Sequence, residues 1–582
     1  MSTVPLLANF DRLAEAPGAV PRLRRFILDL AVRGKLVEQD AGDESAFKAG
    51  RRHDTQAVGP NLNVLKQPLP ARWAWMTIDQ IADVSSGTTP SRDVTEYYSQ
   101  NGTPWVTSGE TSNAYIRKTA QHVSDRALKE TSLKLYPPGT LIVAMYGEGK
   151  TRGQVAELSI AATTNQACAA LVLKLDDVGH RRYVKLFFQK IYEEIRALAS
   201  GGAQPNLNGG KIKSTLIPLP PLAEQHRIVA KVDELMALCD QLEAAQQERE
   251  RRRDRLASAS LQRLNQPTEV NPATDQTEPA EARQQAQREQ QKDYARFHLQ
   301  NLNRLTTRPE HIKAMRQTIL NLAVRGCLLP QDTNNEPAID LIERIRAEKL
   351  RLIKVGTLKK ANLVAQIPDE EIQFALPSGW LWVRLGDLLL GDSQNGYSKR
   401  PDDAVDGVPI LRISAGTVRQ DGIVAEEQYK LIGGITPAHR RQYEVRPGDL
   451  LACRFNGNRH FVGRISLYTG YLGNSPIYPD KLIRLRLLHE FVLPKLVRHF
   501  AESEPVRKDI EGYCATTVGN RGISASNMKD VKIPLPPLAE QHRIVAKVDE
   551  LMALCDQLEA QLTQSQTDSR RLLEAVLEAA IA

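Results

Sequence analysis

Apolar side chains recur at Ile228, Val232, Leu235, Cys239 and Leu242, spaced alternately four and three residues apart. That period keeps one narrow apolar seam against a neighbouring helix, so the stretch predicts a coiled-coil helix rather than a helix with a broad apolar face. Pro218, Pro220 and Pro221 stand just upstream. Proline is excluded from central strands and helix interiors, so the three end the preceding element, and Pro221 suits a first helical turn. Glu224 then places negative charge near the helix N-terminus, where the macrodipole favours it. The same 28 residues, IPLPPLAEQHRIVAKVDELMALCDQLEA, occur twice, at 217–244 and 533–560, without one difference. In the second copy the seam is Ile544, Val548, Leu551, Cys555 and Leu558; it extends to Leu562 and resumes at Leu572, Val576 and Ala579. In the first copy a charged run, Glu248 to Arg255, intervenes before Leu256, Leu261 and Leu264. A stabilising helical hairpin, a recent copying event between the halves, and a demand that both helices meet one kind of partner would each account for the identity.

Two further pairs of matches frame the blocks. Leu30-Ala-Val-Arg-Gly34 reappears as Leu322-Ala-Val-Arg-Gly326, with Arg24, Gln39 and Asp40 answered by Arg316, Gln331 and Asp332 at the same offset of 292. Leu23, Ile27, Leu30 and Ala31 share one face, which predicts a short amphipathic helix with Gly34 as its C-terminal cap. Leu69-Pro-Ala-Arg-Trp-Ala-Trp75 is answered by Leu376-Pro-Ser-Gly-Trp-Leu-Trp382 at an offset of 307, and the long blocks by 316. The growing offset places extra residues in the second half, first around a helix expected over Ala338–Val355. A fixed set of self-similar segments in one order means a tandem duplication.

The regions between these matches read differently. Short β-type runs such as Thr140–Met145 and Lys481–Arg486 are punctuated by Pro137-Pro-Gly139, Pro447-Gly448, Asn101-Gly102 and Asn395-Gly396, which predicts an α/β (mixed) domain with a twisted β-sheet and helices in each half. The organisation expected is a helical region (1–40), a globular domain (69–220), a coiled-coil helix (221–264), a mobile polar linker (265–310), a second helical region (311–356), a second globular domain (370–536) and a C-terminal coiled-coil helix (537–582). A helix over Leu222–Leu264 would span roughly 65 Å at about 1.5 Å per residue.

Composition narrows the class. Hydrophobic residues make up 41% and charged residues 25% of 582, as in soluble globular proteins. No apolar run approaches the length of about 20 residues that spans a bilayer. The start lacks a charged segment followed by an apolar core, so no secretory signal is expected. Six scattered cysteines without a C-x-x-C pair argue for reduced thiols in a cytoplasmic protein, and against a disulfide framework or a structural zinc. A net charge of +8 permits a polyanionic partner.

The duplicated LPPLAEQ blocks, the paired L-x-V-R-G helices and the two divergent domains between them resemble the specificity subunit of type I restriction–modification enzymes, over nearly the whole chain. Gly102-Thr-Pro-Trp-Val106, Pro138-Gly139 and Asn165-Gln166-Ala167 are similar to that family's target-recognition domain. Gly407-Val-Pro409 and Pro447-Gly-Asp449 are looser equivalents in the second domain, which has no Asn-Gln-Ala triplet. The resemblance implies a prokaryotic, cytoplasmic, non-catalytic subunit with two target-recognition domains separated by two long antiparallel coiled-coil helices with pseudo-two-fold symmetry. It implies double-stranded DNA, two modification (methyltransferase) subunits and two restriction (motor-nuclease) subunits as partners, and no membrane. No cofactor is expected on this chain; S-adenosylmethionine, ATP and Mg belong to the partner subunits. The seam residues Ile228, Val232, Leu235, Leu242, Ile544, Val548, Leu551 and Leu558 are expected to serve coiled-coil and partner docking.

Candidate DNA contacts follow from side-chain chemistry. Tyr146, Lys150, Thr151 and Arg152 form a basic loop able to reach phosphates or base edges, or a plain solvated turn. Gln204 and Asn206 sit in a Gly-rich loop and could pair with adenine, though both residue types are also ordinary turn formers. In the second domain Arg454, Asn456, Asn458 and Arg459 form a comparable run; Tyr397, Lys399 and Arg400, then Asn520 and Arg521, form two smaller patches. His460 has no Cys or His at ligand spacing, so no metal is assigned. Ala144–Thr151 fits a relaxed P-loop pattern, which leaves a P-loop ATPase with coiled-coil arms as an alternative, beside a standalone DNA-binding protein. No [DN]-P-P-[FYW] tetrad, G-x-G-x-x-G or H-E-x-x-H occurs, and Pro368-Asp369 and Pro401-Asp402 begin a nuclease-like pattern that no acidic-x-Lys completes.

Overall fold

The computed structural model describes residues 16–46, 68–146, 151–200, 207–265, 293–298, 300–358, 367–419, 421–425, 427–470, 475–517 and 520–581. The chain divides into two compact units, 1–249 with 566–582, and 250–565.

In the first unit α1 (Ala19–Val32) buries Val20, Ile27, Ala31 and Val32. It ends on Gly34 in the left-handed region, and the Lys35 N–H returns to the Leu30 carbonyl at 3.0 Å, a C-terminal cap that only glycine enters without strain. The chain then forms β1 (Ala74–Thr77), β2 (Ala82–Ser86), β3 (Tyr98–Val106), β4 (Tyr115–Ile116), β5 (Gln121–Val123), β6 (Leu141–Ala144), β7 (Val155–Leu158), β8 (Thr163–Thr164) and β9 (Cys168–Leu173). α2 (Val178–Ser200), β10 (Leu216–Leu219) and α3 (Leu222–Asn265) complete the order. β1 pairs antiparallel with β10. Five strands lie in the order β2-β9-β6-β7-β4, and a smaller sheet runs β5-β3-β8. β6 is buried along its whole length, which explains its unbroken apolar run. Leu141 and Val143 face a core filled by Tyr183, Phe187 and Phe188 of α2, while Ile142 faces a second cluster with Ile116 and Leu158.

The second unit repeats this plan. After α4 (Pro309–Val324) and α5 (Ala338–Lys354) come β11 (Leu381–Arg384), β12 (Gln394–Asn395), β13 (Val408–Leu411), β14 (Tyr429–Ile432), β15 (Leu450–Cys453), β16 (Phe455–Asn456), β17 (Ile465–Leu467) and β18 (Leu482–Leu485). α6 (Pro494–Ala501), β19 (Ala515–Thr517), β20 (Asn520–Gly522), β21 (Lys532–Leu535) and α7 (Leu538–Ile581) follow. β11 pairs with β21 as β1 does with β10. The main sheet runs β12-β18-β15-β17, and Ile423 bridges in parallel to Leu467 of β17, where β4 lies parallel to β7 in the first unit. β13 pairs antiparallel with β14 and bridges in parallel to Ile477, as β3 pairs with β5 and β8. This shared strand order supplies the alignment that the missing Asn-Gln-Ala triplet denied. The sheet β16-β20-β19 is an addition with no such partner among the described strands of the first unit.

Each long helix is tied to its unit by a matched joint. The indole N–H of Trp73 donates to Glu224 at 3.0 Å and Gln39 donates to the other carboxylate oxygen at 2.5 Å. Trp380 donates to Glu540 at 2.9 Å and to Gln331 at 3.1 Å. Glu224 and Glu540 are therefore buried hydrogen-bond acceptors rather than exposed first-turn charges, and desolvation pushes both carboxyls up despite these donors. Arg24 forks onto Asp240 and Glu243 at 2.7 and 2.8 Å, and Arg316 onto Asp556 and Glu559. Pro70 and Trp73 crowd the space where a Cβ on Gly34 would lie, and Pro377 and Trp380 do the same at Gly326.

The apolar seam has a different occupant from the one expected for partner docking. Ile228, Val232 and Cys239 are buried, with Leu235 and Leu242 half-buried, in a core that includes Val20, Ile27 and Ala31 of α1. Ile544, Val548 and Cys555 are buried likewise, with Leu551 and Leu558 half-buried beside Ile312, Ile319 and Ala323 of α4. These side chains are used up inside their own units. The span expected as a mobile linker also differs: residues 293–298 are helical, and His298 is buried with its ring 2.9 Å from the Ser260 hydroxyl. Leu305, in the helical turn Leu302–Leu305, is buried as well. Residues 266–292 lie outside the described residues.

Candidate nucleic-acid interface

Among the sequence-predicted contacts, Tyr146 is exposed at the end of β6, and Thr151 and Arg152 are half-buried. Lys150, Gln204 and Asn206 lie outside the described residues. The strand order removes the P-loop reading on its own ground. A P-loop leads from its strand into a helix, whereas the next element here is β7, which runs antiparallel to β6 through Val143↔Val155.

In the second unit the structure joins two patches that are separate in the sequence. β16 pairs with β20, and Asn456 stands opposite Arg521. The Phe455 ring meets two cations, with the Arg454 guanidinium 4.7 Å and the Lys481 ammonium 5.1 Å from its centroid. Gly522 lies so close to Phe455 that no Cβ fits. Arg521 is exposed; the Arg454 guanidinium also donates to the Asp480 carbonyl at 3.2 Å, which fixes its head over the ring. Asn458 caps the following helical turn by accepting from the His460 N–H, and the Asn456 side chain accepts from the Asn458 N–H, so both have local structural duties. Arg459 is exposed, and Asn520 is placed only as a residue of β20. The resulting surface is cationic, aromatic and rigid, suited to phosphate oxygens and base faces.

The third patch divides. Tyr397 is half-buried and packs edge-on against Tyr443 at 5.4 Å, with His439 also 5.4 Å away. Lys399 is paired with Asp402 at 3.4 Å, while Arg400 is exposed. Two motifs read as family markers turn out to be internal fasteners. Asp449 is fully buried and accepts from Arg486 at 2.7 and 2.6 Å and from the Arg446 N–H at 2.7 Å. Asn165 accepts from the Ala167 N–H at 3.1 Å, and its carbonyl, with that of Thr164, crowds Gly87. Among the described residues no group of three His, Cys, Asp or Glu could hold a metal ion, and no helix is long and apolar enough to cross a membrane.

A family model described as "Type I restriction modification DNA specificity domain" matches residues 70–250 and 509–565. The chain is 27% identical to the type I restriction enzyme EcoEI specificity subunit of Escherichia coli, over 97% of this chain and 94% of that one. It is 28% identical to the EcoAI specificity subunit of the same species, again covering 97% and 94%. The crystal structure of the HsdS subunit from Thermoanaerobacter tengcongensis is similar at 18% identity and a TM-score of 0.41, covering 89% of this chain and 98% of that one. The family model falls on the first globular part and on both copies of the repeated block, and the two relatives extend the likeness to type I restriction–modification specificity subunits along almost the whole chain.

Proposed function

We propose that this chain is the sequence-reading subunit of a type I restriction–modification enzyme, which recognises an asymmetric, bipartite target in double-stranded DNA and performs no chemistry itself. The observation that carries the reading is a contrast within one molecule. Helical blocks that are identical letter for letter are locked by the same Trp–Glu joint to two globular parts with one strand order and different surfaces. Matched frames serve a repeated partner, and unmatched heads serve two different half-sites.

In this reading each globular part is a target-recognition domain, and the long helices pair as antiparallel spacers about a pseudo-two-fold axis. Two modification subunits dock on the repeated blocks and bring two restriction subunits with them; S-adenosylmethionine, ATP and Mg are bound by those partners. Because the seam is filled from within, docking uses the opposite face. There Ala223, Ala230, Ala237 and Ala244 recur every seven residues, all exposed, beside Leu238; Ala539, Ala546, Ala553, Ala560 and Leu554 repeat the pattern. The test is to replace residues 69–220 by the corresponding part of another family member and map methylated adenines across a genome. The expected result is a change in one half of the recognised sequence. Loss or change of both halves would overturn the modular reading.

A further inference from the structure

β3 and β5 form an antiparallel ribbon in which Thr103, Pro104 and Trp105 face Val123, His122 and Gln121. Val123 is also opposite Tyr98, so residues 99–102 bulge out of the ladder. Gly102 closes the bulge against the Val123 carbonyl, where no Cβ fits. The ribbon is anchored from beneath. Trp105 is buried with Val123, Ala127 and Leu133, and its indole N–H donates to the Thr88 carbonyl at 3.1 Å. Tyr98 donates to the Pro90 carbonyl at 2.7 Å, and Glu110 accepts from the Ala120 N–H at 2.8 Å, fixing the start of β5.

The second unit builds the same ribbon from a different sequence. Val408, Pro409, Ile410 and Leu411 face Ile432, Leu431, Lys430 and Tyr429, and Gly407 is pressed against Ile432 as Gly102 is against Val123. Both first strands read Gly-x-Pro followed by two buried apolar residues, Trp105-Val106 and Ile410-Leu411. Residue for residue, Gln121 corresponds to Lys430 and His122 to Leu431.

Each ribbon lines a cleft. The first, of about 670 Å³, is lined by Arg92, Gln100, Gln121 and His122 among others. The second, of about 510 Å³, is lined by Arg412, Glu427, Tyr429 and Lys430, with Asp403 alongside. The framework is held in common and the lining is not. Arg92, Gln100, Gln121, Arg412 and Glu427 are exposed, and none of their side chains is engaged by another described side chain; Lys430 meets Asp403 at 3.0 Å. These are the side-chain types that discriminate base edges: amides for adenine, guanidinium or ammonium for guanine, carboxylate for cytosine. A two-stranded ribbon is also an element that the major groove admits.

We propose that these two ribbons are the base-reading surfaces, with Gln100, Gln121 and Arg92 setting one half of the target and Arg412, Glu427 and Lys430 the other. The inference rests on the DNA-reading assignment above and deepens it. Its test uses the full chain assembled with its modification subunits, and duplexes carrying the methylated sequence or single base-pair changes in it. The quantity read is the affinity ratio of the unchanged duplex to each changed one. Gln121→Ala is expected to lower that ratio roughly tenfold to a hundredfold at one or two positions of one half, and Arg412→Ala to do so only in the other half. Gln121→Asn and Arg412→Lys, which keep polarity and fold, are expected to relax the same positions. Ratios unchanged at every position, whether or not overall binding falls, would overturn the proposal. A wild-type assembly that binds all the duplexes equally would instead overturn the DNA-reading assignment beneath it.

Discussion

The two identical blocks meet one unequal neighbour, and this makes a reciprocal pair of substitutions informative. In the first unit Arg227 forks onto Asp43 at 3.1 and 2.6 Å. The second unit has Asn335 in the same turn: the Asp43 N–H bonds to the Asp40 carbonyl and the Asn335 N–H to the Asp332 carbonyl, both at 3.2 Å. Arg543, the counterpart of Arg227, has no carboxylate within ion-pairing distance among the described residues and reaches only the Pro330 carbonyl at 3.4 Å. One of its terminal nitrogens, and the amide nitrogen of Asn335, are buried without acceptors. Asn335→Asp should therefore stabilise the second unit. A bidentate pair with a half-exposed arginine contributes about 0.5 to 1 kcal/mol, and satisfying a buried donor adds a similar amount before the cost of desolvating the new carboxylate. The net expectation is about 1 kcal/mol, or a rise of about 2 °C in the melting midpoint of a unit this size. Asp43→Asn should cost the first unit about as much. The pH dependence has a definite sign. The Arg227 guanidinium holds the Asp43 carboxyl below its ordinary value, and a depressed carboxyl contributes stability above its unfolded pKa of about 3.9 and loses it as pH falls through the folded value. The gain in Asn335→Asp should thus persist from pH 7 down to about pH 4 and vanish below. Scanning calorimetry of the four combinations of the two positions measures both effects. An Asn335→Asp midpoint at pH 7 no higher than wild type would refute the reasoning.

Two other outcomes are expected. Because burial raises the Glu224 and Glu540 carboxyls, their share of stability is greatest below about pH 4.3 and is lost as pH rises through the folded values. The double variant Glu224→Gln/Glu540→Gln should therefore flatten the urea midpoint against pH, whereas Glu224→Ala, which takes away the acceptor of the Trp73 N–H, should cost about 1 to 3 kcal/mol; equal behaviour of Gln and Ala would contradict this. Leu238 and Leu554 are 52% and 46% exposed on the repeated blocks, so Leu238→Glu should leave one modification subunit bound and Leu238→Glu/Leu554→Glu none, with an unchanged melting curve. Native mass measurement decides it, and two subunits retained by the double variant would remove the docking face assigned here.

Much of the frame was legible because its signals are local. The four-three spacing from Ile228 to Leu242 marks a real helix, and Pro137-Pro-Gly139 and Pro447-Gly448 end in glycines with φ of 87° and 89°. Thr140–Met145 and Lys481–Arg486 contain β6 and β18. What spacing cannot encode is the identity of the neighbour. The seam of α3 packs on α1, some 200 residues away, through contacts that any apolar helix face could have satisfied. The ribbons escaped notice for a related reason. Gln121, His122 and Lys430 carry no motif, and only strand pairing shows that they occupy corresponding places. Basic clusters drew attention by composition, yet Lys399 is paired and Asn456 and Asn458 hold a turn.

The last turns of α7 belong to the first unit. Leu573 and Leu577 are buried with Ala16 and Ala19, flanked by Leu23 and Phe26, and Arg22 pairs with Glu574 at 2.8 Å. On the ribosome this patch of α1 must wait for a segment made more than five hundred residues later, roughly half a minute to two minutes at about 5 to 20 residues per second. A nascent chain would thus carry an uncovered apolar surface until that segment emerges, and termination before it would leave that surface open for good. Holding chaperones at Leu23 and Phe26 until then would protect it, and the closing contact would confine the fully packed state of α1 to chains that carry the last turns of α7.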